Sequence, residues 1–587
     1  MQQSSEVTTN YLFRIRLGFG LFGIIFAVFI VRLFYLQVIK HDFYKTSALN
    51  GQYKEYELSP KRGVIEAHNG DEKIPIVLNE VKYTLFADPV YIKDKNAAAD
   101  KLRLIIGGSN EELLSKLNSK SRYVVIAKKL NKDTKQKIEN LEIKGIGVRE
   151  QTYRAYPQGE MAASLLGFVN DEGEGKYGVE QALDKQLRGT PGQLKAITDA
   201  KGVPLISNKD NVIKEAQNGK RVVLTLDMSM QQQLEEILKT GLENSKSKSG
   251  GVFVIEANTG AIKAMANYPT YNPAEFFKVE DANVFNNTNV SDAYEVGSVM
   301  KPLTMAAALS VGAIKPDSTY YDPGFFEIDN EKITNVEESG GPGQKTMADI
   351  LRLSLNTGAT WLLMQMGGGK INSKARETWH DYMVNKYGFS NKTDIEQGFE
   401  SGGLVPNPDE GYGLNIRFAN SAFGQGMTAT PIQMGAALSS VVNGGTYYRP
   451  RLVDEMIDSS GKTEKIQPNV VRSNVVTKQA SDAVVGFMVN LINANHKVYS
   501  FNLRPNYLVG GKTGTAQIAK PNGGYYEDRY NGSFTGFVGG DKPEYVVVVR
   551  VNEPHVPGYA GSKAAGPIFS ATANMLIDNF GVLPKSN

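Results

Sequence analysis

One apolar segment near the N-terminus constrains the fold of this 587-residue chain more than any other feature. Leu17–Val31 carries no charged side chain, but as a helix it would span only about 22 Å of a hydrocarbon core that is ~30 Å thick. Continuing the helix to Val38 gives roughly 33 Å, provided that Arg32 extends its charge to the interface or faces a partner helix. The pattern therefore predicts a transmembrane helix, and a buried helix of a soluble protein is the alternative.

The flanks of this segment indicate how the chain meets the membrane. No small-residue cleavage site follows the apolar run, which predicts an uncleaved signal anchor and not a removed signal peptide. Basic residues lie on both sides, Arg14 and Arg16 before the run and Lys40 and Lys45 after it, so charge alone leaves the orientation open. Because no second long apolar run follows, we expect a single-pass protein of the cell membrane with its bulk outside the cytoplasm.

Composition argues against several classes of function. The chain has no cysteine, which excludes disulfides, thiol catalysis and zinc–thiolate sites. Its five histidines are scattered and match no metal-binding spacing, so we expect neither a metal nor another cofactor. A net charge of +3 on so long a chain argues against a nucleic-acid partner.

The patterning divides the chain into three parts. Residues 1–45 are predicted to form a cytoplasmic tail and the transmembrane anchor. Residues 46–215 alternate strand-like runs with charged helical runs and cluster no nucleophile with a base, which predicts a mixed α/β spacer and interaction domain. Residues 216–587 combine sequential strands, short turns and amphipathic helices, which predicts an antiparallel sheet with helices on its faces. The expected fold class is therefore an α+β multidomain protein.

The motif Ser298-Val299-Met300-Lys301 provides a candidate nucleophile and base. Residues three apart lie on one face of a helix, and Pro302 suits a first helical turn, where its missing N–H would have no partner. Ser298 is thus predicted near the positive end of a helix, beside an amine that can take its proton. The pattern alone is weak, since it recurs at Ser245–Lys248 and at Ser459–Lys462 in polar, loop-like surroundings.

Two later motifs, which follow in a fixed order, strengthen the prediction that Ser298 and Lys301 are catalytic. Ser354-Leu355-Asn356 follows a helical run, and a turn there would direct both polar side chains into a cleft, whereas simple helix capping is the alternative. Lys512-Thr513-Gly514-Thr515 lies on a predicted strand whose glycines allow close approach of a ligand to the backbone. A second K-T-G, Lys239-Thr240-Gly241, ends an amphipathic helix before every other motif, and we reject it.

The order S-x-x-K, S-x-N, K-T-G resembles that of the penicillin-binding transpeptidase domain. Shorter signatures extend the resemblance to nearly the whole chain; they are Arg62-Gly63-Val64-Ile65, Arg154-Ala155-Tyr156-Pro157, Gly178-Val179-Glu180, Gly424-Gln425-Gly426 and Asn443-Gly444-Gly445. The chain is thus similar to class B penicillin-binding proteins, with residues 46–215 as the pedestal, or dimerisation-like, domain and residues 216–587 as the transpeptidase domain. It departs from the family at Ala67-His68, where an acidic-basic pair is usual, and at Val299-Met300, where Thr-Phe is usual.

The resemblance implies a peptidoglycan D,D-transpeptidase that acts through an acyl-enzyme. Ser298 would attack the bond between the two D-alanines of a stem peptide, with Lys301 as base. Ser354 would relay a proton to the leaving amine, and Asn356 would hold the substrate's amide backbone. Lowering the pKa of Lys301 from ~10.4 to about 7 requires about 4–5 kcal/mol, which burial and the charge of Lys512 could supply.

The resemblance also implies what the protein binds. Lys512, Thr513 and Thr515, in the motif completed by Gly514, would receive the terminal carboxylate of D-alanyl-D-alanine, and β-lactams would acylate Ser298 as mimics of it. A membrane glycan polymerase and other division proteins would contact the anchor and the pedestal. The stretch Arg154–Glu160 favours the division-specific branch of the family over the elongation branch.

Several alternatives stay open. A carboxypeptidase or β-lactamase would pass the acyl group to water, but the pedestal and anchor argue against a secreted hydrolase, and no carboxylate motif for fast deacylation is evident. A penicillin-binding sensor would be expected to need more cytoplasmic sequence than the residues before the anchor. A non-catalytic scaffold is disfavoured because all three motifs are intact. Residues 366–411, which begin with Gly367-Gly368-Gly369, are interpreted as an insertion near the cleft.

Overall fold

The computed structural model describes residues 3–197, 212–336, 340–499, 501–520 and 523–586. Its α-helices, numbered along the chain, are α1 Gln3–Phe34, α2 His41–Gln52, α3 Lys95–Ile106, α4 Asn110–Leu117, α5 Lys132–Glu139, α6 Ala163–Leu166, α7 Gly178–Ala182, α8 Asp184–Arg188, α9 Met228–Asn244, α10 Thr288–Ser291, α11 Lys301–Ser310, α12 Met347–Arg352, α13 Asn356–Met366, α14 Ser373–Asp381, α15 Leu414–Ser421, α16 Pro431–Val442, α17 Lys478–Tyr499 and α18 Gly566–Asn579.

The strands are numbered in the same way. They are β1 Tyr53–Leu58, β2 Ile65–Asn69, β3 Glu72–Ala87, β4 Val124–Leu130, β5 Ile146–Ala155, β6 Phe168–Val169, β7 Gly175–Lys176, β8 Gly192–Ile197, β9 Val212–Lys214, β10 Arg221–Asp227, β11 Ser249–Glu256, β12 Ile262–Tyr268, β13 Thr319–Asp322, β14 Phe325–Ile328, β15 Glu331–Thr334, β16 Gly343–Thr346, β17 Tyr447–Tyr448, β18 Val453–Ile457, β19 Thr463–Lys465, β20 Val470–Arg472, β21 Leu508–Ala519, β22 Tyr525–Gly539 and β23 Pro543–Asn552.

The first of two compact units comprises residues 1–61 and 189–218. In its described part, α1 continues through a π-helical segment, Tyr35–Ile39, towards α2. The stretch Tyr11–Ile39 is long and apolar enough to cross a membrane, and none of its side chains is buried. The predicted N-terminal apolar helix is therefore confirmed. Strands β1, β8 and β9 of the same unit form a small antiparallel sheet in the order β1-β8-β9.

The second unit comprises residues 62–188 and 219–587, and it begins with a sheet in the order β19-β18-β10-β2-β3-β4, with β5 also paired to β3. Strands β2 and β10 run parallel, and the other pairs in this sheet are antiparallel. The far end of β3 belongs to a lobe with its own small core, in which Leu85, Leu102 and Leu117 are fully buried. Strands β2–β5 thus share one sheet with β10, β18 and β19, which lie far from them in sequence.

A five-stranded antiparallel sheet organises the rest of the second unit, in the order β12-β11-β23-β22-β21. Val546–Val549 in the central strand β23 are fully buried, as expected of a strand covered on both faces. Helices α9 and α18 pack on one face, and α16 packs on the other with α11 and α17 beside it. The predicted antiparallel sheet with helices on its faces is confirmed, and its edge strand β21 carries the K-T-G motif.

The segment 366–411 belongs to the core of the second unit. Trp379, Tyr387 and Phe389 are fully buried. The Trp379 indole donates to Thr304 Oγ1 at 3.2 Å, and the Tyr387 hydroxyl donates to the Leu303 carbonyl at 3.1 Å. Both acceptors lie on α11, so the segment that the sequence analysis interprets as an insertion near the cleft packs into the core beside that helix. Its glycine-rich start ends α13, and the aromatic residues that follow pack behind the helix that begins at Lys301.

Candidate active site

Ser298 lies in a 3₁₀ turn, Gly297–Met300, that leads directly into α11. The α-helix itself begins at Lys301, with Pro302 in its first turn as the sequence predicts. Gly297 has a positive φ of 65°, which favours glycine, and a Cβ on Gly424 would lie only 2.1 Å from the Gly297 carbonyl oxygen, so Gly424 has no room for a side chain. The serine is therefore held on a tight, closely packed turn and not on the regular helix that the three-residue spacing predicts.

Two polar side chains from different segments meet at the Ser298 hydroxyl. Lys301 Nζ lies 2.9 Å from Ser298 Oγ, and Ser354 Oγ lies 3.1 Å from the same oxygen. The distance between Lys301 Nζ and Ser354 Oγ is also 3.1 Å. A proton that leaves Ser298 therefore has two acceptors within hydrogen-bonding distance, and the acceptors are within reach of each other.

Ser354 occupies the turn between α12 and α13, as the sequence predicts. Its φ of 57° is left-handed, a conformation that costs a non-glycine residue on the order of 1 kcal/mol or more. This turn directs both oxygens of the residue at one amine, because Lys301 Nζ donates to the Ser354 carbonyl at 2.6 Å as well as contacting its hydroxyl. The local strain thus accompanies a specific contact with the lysine.

Asn356, the first residue of α13, completes the surroundings of the lysine amine. Its Oδ1 accepts a hydrogen bond from Lys301 Nζ at 2.9 Å, and its Nδ2 donates to the carbonyl of Thr334 at 3.0 Å. The amine therefore faces four oxygens, whereas an ammonium has only three protons to donate. The simple capping role considered for Ser354 and Asn356 does not describe this arrangement, since neither side chain caps α13.

The K-T-G motif lies on β21, which is the edge strand of the five-stranded sheet. Lys512 is almost completely buried and donates to the Thr513 carbonyl at 3.0 Å, while Thr515 Oγ1 accepts from the Gly561 N–H at 3.0 Å. A Cβ on Gly514 would lie 2.9 Å from the Val296 carbonyl oxygen and 3.1 Å from the Val299 side chain. The glycine therefore lets the edge strand lie directly against the turn that carries Ser298.

The two lysines define the electrostatics of the site. Burial lowers the pKa of the Lys301 amine well below its usual value, and the nearby Lys512 amine lowers it further. Burial alone lowers the pKa of Lys512 to about 7. Neither amine forms an ion pair with any described carboxylate. An anionic ligand would find two positive or easily protonated groups here with no competing acid.

Two side chains near the site escaped the sequence analysis. Glu295, three residues before Ser298, accepts hydrogen bonds from the Tyr525 hydroxyl at 3.0 Å and from the Gly426 N–H at 2.9 Å. Burial raises the pKa of this carboxyl. It links the nucleophile turn to the β21–β22 hairpin and to the Gly424–Gly426 loop. Only its position in the Ser298 segment could have drawn attention to it, since nothing in the sequence pairs it with Tyr525.

One cavity of the second unit lies apart from the site. A cavity of about 490 Å³ is lined by Glu396, Arg449, Arg451 and the segment 466–470, and it includes none of the predicted site residues. Among the residues that the structure describes, no group of three or more His, Asp or Glu side chains is arranged to hold a metal ion.

Two protein families match separate stretches of the chain. The family described as the penicillin binding protein transpeptidase domain matches residues 250–574, which include Ser298, Ser354 and Lys512. The family described as the penicillin-binding protein dimerisation domain matches residues 57–224.

Similar proteins match over almost the full length. Stage V sporulation protein D of Bacillus subtilis is 31% identical over 99% of this chain and 88% of its own length. Peptidoglycan D,D-transpeptidase FtsI of Escherichia coli K12 is 26% identical over 99% of this chain and 94% of its own. The crystal structure of penicillin binding protein 2X from Streptococcus thermophilus aligns with a TM-score of 0.70 and 24% identity, over 91% of this chain and 83% of that one, which supports the fold.

The fold, the order of the three motifs and these matches agree. The chain belongs to the penicillin-binding protein transpeptidase family. Within that family it is a class B penicillin-binding protein, because a dimerisation domain precedes the transpeptidase domain and the class B relatives align along nearly its whole length. The sequence-based recognition of the family is confirmed.

Proposed function

We propose that the protein is a peptidoglycan D,D-transpeptidase that cross-links stem peptides through an acyl-enzyme on Ser298. The observation that carries the proposal is the buried Lys301 amine, which lies 2.9 Å from the serine oxygen and is surrounded by hydroxyl, carbonyl and amide oxygens instead of carboxylates. A neutral amine that is buried beside the serine can act as a general base and accept the proton of the Ser298 hydroxyl. The name of the FtsI relative supports the same activity.

In the acylation step, Ser298 Oγ attacks the carbonyl carbon between the two D-alanines. Its proton passes to the neutral amine of Lys301, a C–O bond forms, and the carbonyl oxygen becomes the oxyanion of a tetrahedral intermediate, which collapses to the ester when the C–N bond breaks. The backbone N–H groups of Ser298 and Thr515 receive that oxyanion, an interaction worth about 3–4 kcal/mol per donor in other acyl transferases. Ser354, within 3.1 Å of both Ser298 and Lys301, then relays the proton to the leaving D-alanine amine as the C–N bond breaks.

The donor strand of the glycan is held by its terminal carboxylate and its peptide backbone. Lys512 donates one charged N–H, while the Thr513 and Thr515 hydroxyls provide neutral donors on the same strand. Because β21 is an edge strand, an extended stem peptide can pair with its free side, and Gly514 keeps that strand close to the serine. Asn356 holds the substrate's amide backbone. β-Lactams, which carry a carboxylate beside a strained amide, acylate Ser298 in the same geometry.

In the second step an amine from a neighbouring stem peptide attacks the ester. Lys301, protonated during acylation and returned to its neutral form by the leaving group, takes the proton of the attacking amine. Ser298 regains its proton, the ester bond breaks, and the two peptides are joined by a new amide. One D-alanine is released for each cross-link that forms, and the proposed reaction uses neither a metal nor another cofactor.

The domain division follows the sequence analysis. We propose that residues 1–45 form a tail and anchor in the cell membrane, residues 46–215 the pedestal and residues 216–587 the extracytoplasmic transpeptidase domain. The exposed apolar stretch Tyr11–Ile39 supports the anchor, and the two family matches support the order of the domains. Peptidoglycan stem peptides are the substrates, and a membrane glycan polymerase with other division proteins is the partner class, bound through anchor and pedestal.

We assign the protein a role in septal wall synthesis, on the division-type sequence Arg154–Glu160 and the FtsI relative. Imaging of a fluorescent fusion in growing cells tests this role. A band at the septum supports it, and labelling along the side wall favours the elongation alternative. A signal confined to sporulating cells would instead favour a role like that in the name of the Bacillus relative.

Acylation itself is tested by intact mass. Full-length protein in detergent is incubated with benzylpenicillin, with Ser298→Ala beside the wild type. A single long-lived adduct in the wild type alone supports the proposal. Rapid loss of the drug without a lasting adduct favours a β-lactamase, and a protein that neither binds nor consumes the drug would be a scaffold.

A further inference from the structure

A buried carboxylate without a counter-charge lies at the end of β13. Asp322 has no exposed surface, and it forms no ion pair with any of the lysine, arginine or histidine side chains that the structure describes. Its Oδ1 accepts a hydrogen bond from the Gly324 N–H at 2.9 Å. Burial of a charge is costly unless hydrogen bonds replace its hydration, so a carboxylate in this position requires several donors.

Two side chains provide the remaining donors. Asp322 Oδ2 accepts from Asn335 Nδ2 and from the Thr357 hydroxyl, both at 2.9 Å. Asn335 in turn uses its Oδ1 to accept from the Thr357 backbone N–H at 3.1 Å. The amide of Asn335 therefore has one orientation that satisfies all its partners, with the nitrogen towards the carboxylate and the oxygen towards the start of α13.

Each of these partners is the immediate neighbour of a residue that contacts Lys301 or its amide partner. Thr357 follows Asn356, and Asn335 follows Thr334. Asn356 Nδ2 donates to the Thr334 carbonyl at 3.0 Å, while its Oδ1 accepts from Lys301 Nζ at 2.9 Å. Through Asn335 and Thr357, the Asp322 carboxylate thus joins the end of β15 to the start of α13. These two chain segments contain Thr334 and Asn356, whose hydrogen bond orients the Asn356 amide.

We propose that Asp322 is a positioning residue, which acts through Asn335 and Thr357 to hold the Asn356 amide with its oxygen towards Lys301. The proposal rests on the proposed function, because its consequence is the rate at which Ser298 is acylated. Asp322 itself does not contact Ser298 or Lys301. It fixes Asn335 and Thr357, whose chain neighbours Thr334 and Asn356 hydrogen-bond to each other beside the Lys301 amine.

The surrounding structure explains why such an anchor is needed. Thr334 ends a two-stranded hairpin of β14 and β15, with four residues in each strand and side chains that are mostly exposed. Such a hairpin is marginal on its own in water. Without a fixed Thr334 carbonyl, the Asn356 amide could rotate and turn its nitrogen towards Lys301, which would place donors against donors.

The Asp322→Asn substitution tests the proposal with the smallest change in shape. An amide at this position can still accept from the Gly324 N–H, but its nitrogen then faces Asn335 Nδ2, and two donors meet. We expect acylation of the full-length protein by benzylpenicillin, followed by intact mass, to slow by about tenfold or more. The acid limb of the acylation profile should also move to lower pH, since Lys301 loses an acceptor that stabilises its charged form.

A control variant separates the specific role of Asp322 from the loss of a hydrogen-bonded carboxylate in general. Asp227 accepts from the backbone N–H groups of Met230 and Gly70, but it caps α9 and forms no hydrogen bond with a site residue. The Asp227→Asn variant should therefore acylate within about twofold of the wild type, because asparagine is an equally good helix cap.

If Asp322→Asn fails to fold, Thr357→Val provides a second test. It removes only the hydroxyl that donates to Asp322, and we expect slower acylation in this variant too.

A double-mutant cycle provides the decisive comparison. If Asp322 acts through Asn356, adding Asp322→Asn to an Asn356→Ala protein should slow acylation by less than about twofold, since the effects of coupled residues are not additive. A full further loss in that background would overturn the proposal, as would wild-type rates in both Asp322→Asn and Thr357→Val. A wild type that forms no adduct would contradict the proposed function, and the positioning proposal would fall with it.

Discussion

The amine of Lys301 donates to the backbone carbonyl of Ser354 at 2.6 Å, across the cleft between α11 and the turn before α13. The contact joins two sequence motifs that are 53 residues apart. It also explains why Ser354 adopts a left-handed conformation, since that conformation turns its carbonyl and its hydroxyl towards the same nitrogen. The lysine is thereby fixed beside Ser298 without any carboxylate to keep it charged.

Acylation should depend on pH through Lys301. Because burial and Lys512 lower the pKa of its amine, the acylation rate should rise with pH and level off well below pH 10.5. In Lys512→Met the neighbouring positive charge is gone, so the pKa of Lys301 rises and the acid limb moves to higher pH. Rates of benzylpenicillin adduct formation from about pH 5 to pH 10 measure this limb. As a control, Lys542→Met removes an exposed lysine and should leave the acid limb of the acylation profile unchanged. If the acid limb moved to lower pH in Lys512→Met, the Lys512 charge would not lower the pKa of Lys301.

Stability should depend on pH through Lys512. Its folded pKa is about 7, below the unfolded value near 10.5, so between these two values the unfolded chain binds a proton that the folded chain does not. The free energy of unfolding therefore rises with pH in this window, by up to roughly 1.4 kcal/mol per pH unit. Lys512→Met should flatten this rise, which unfolding curves recorded from pH 7 to pH 10 would reveal. An unchanged slope would place the lysine in a more hydrated environment than the structure does.

The left-handed turn at Ser354 allows strain and chemistry to be separated. Ser354→Ala keeps a side chain in the strained conformation, whereas Ser354→Gly relieves it, so the glycine variant should be more stable by about 1 kcal/mol. Both variants lose the hydroxyl and should lose acylation to the same extent. Thermal unfolding and penicillin adduct formation on the same samples make the comparison. If the glycine variant were the less stable one, the turn would not be strained.

A buried charge cluster should dominate the stability of the region before the transpeptidase domain. Glu180 is fully buried between Arg62 and Arg154, whose Nε atoms each donate to it at 2.8 Å. Glu180→Ala leaves two guanidinium groups without their shared partner and should cost about 3–5 kcal/mol of the free energy of unfolding.

The exposed pair Glu174–Lys176 is the matched control for that prediction. Glu174→Ala should leave the free energy of unfolding nearly unchanged, because solvent screens an exposed pair. Denaturant unfolding of the two variants tests the contrast. Similar losses in both would mean that the buried cluster contributes no more than a surface ion pair.

The parts of the structure that the sequence predicts well depend on local periodicity. The apolar anchor, the strand with K-T-G and the turn between the helices that flank Ser354 all follow from patterns within about ten residues. The spacing of Ser298 and Lys301 likewise brings their side chains together whether the turn is 3₁₀ or α. The ordered motifs then identified the family, which no single motif could have done.

The parts that sequence analysis missed depend on contacts between distant segments. Glycines and mixed polarity in residues 366–411 hide the aromatic side chains that pack against α11, so the sequence does not predict that this segment belongs to the core. Asp322 and Tyr525 have no motif of their own, and their roles arise from partners 35 and 230 residues away. The burial of Lys512 was likewise not visible, since it results from the sheet and helices that surround β21.

The central claim is that Ser298 transfers a peptidyl group to an amine and not to water. The most direct test incubates full-length protein with glycan strands that carry pentapeptide stems and measures released D-alanine and cross-linked dimers by liquid chromatography and mass spectrometry. We expect equal amounts of both products with the wild type and neither with Ser298→Ala. Release of D-alanine without cross-links would show a carboxypeptidase, and cross-links formed by Ser298→Ala would contradict the assignment of the nucleophile.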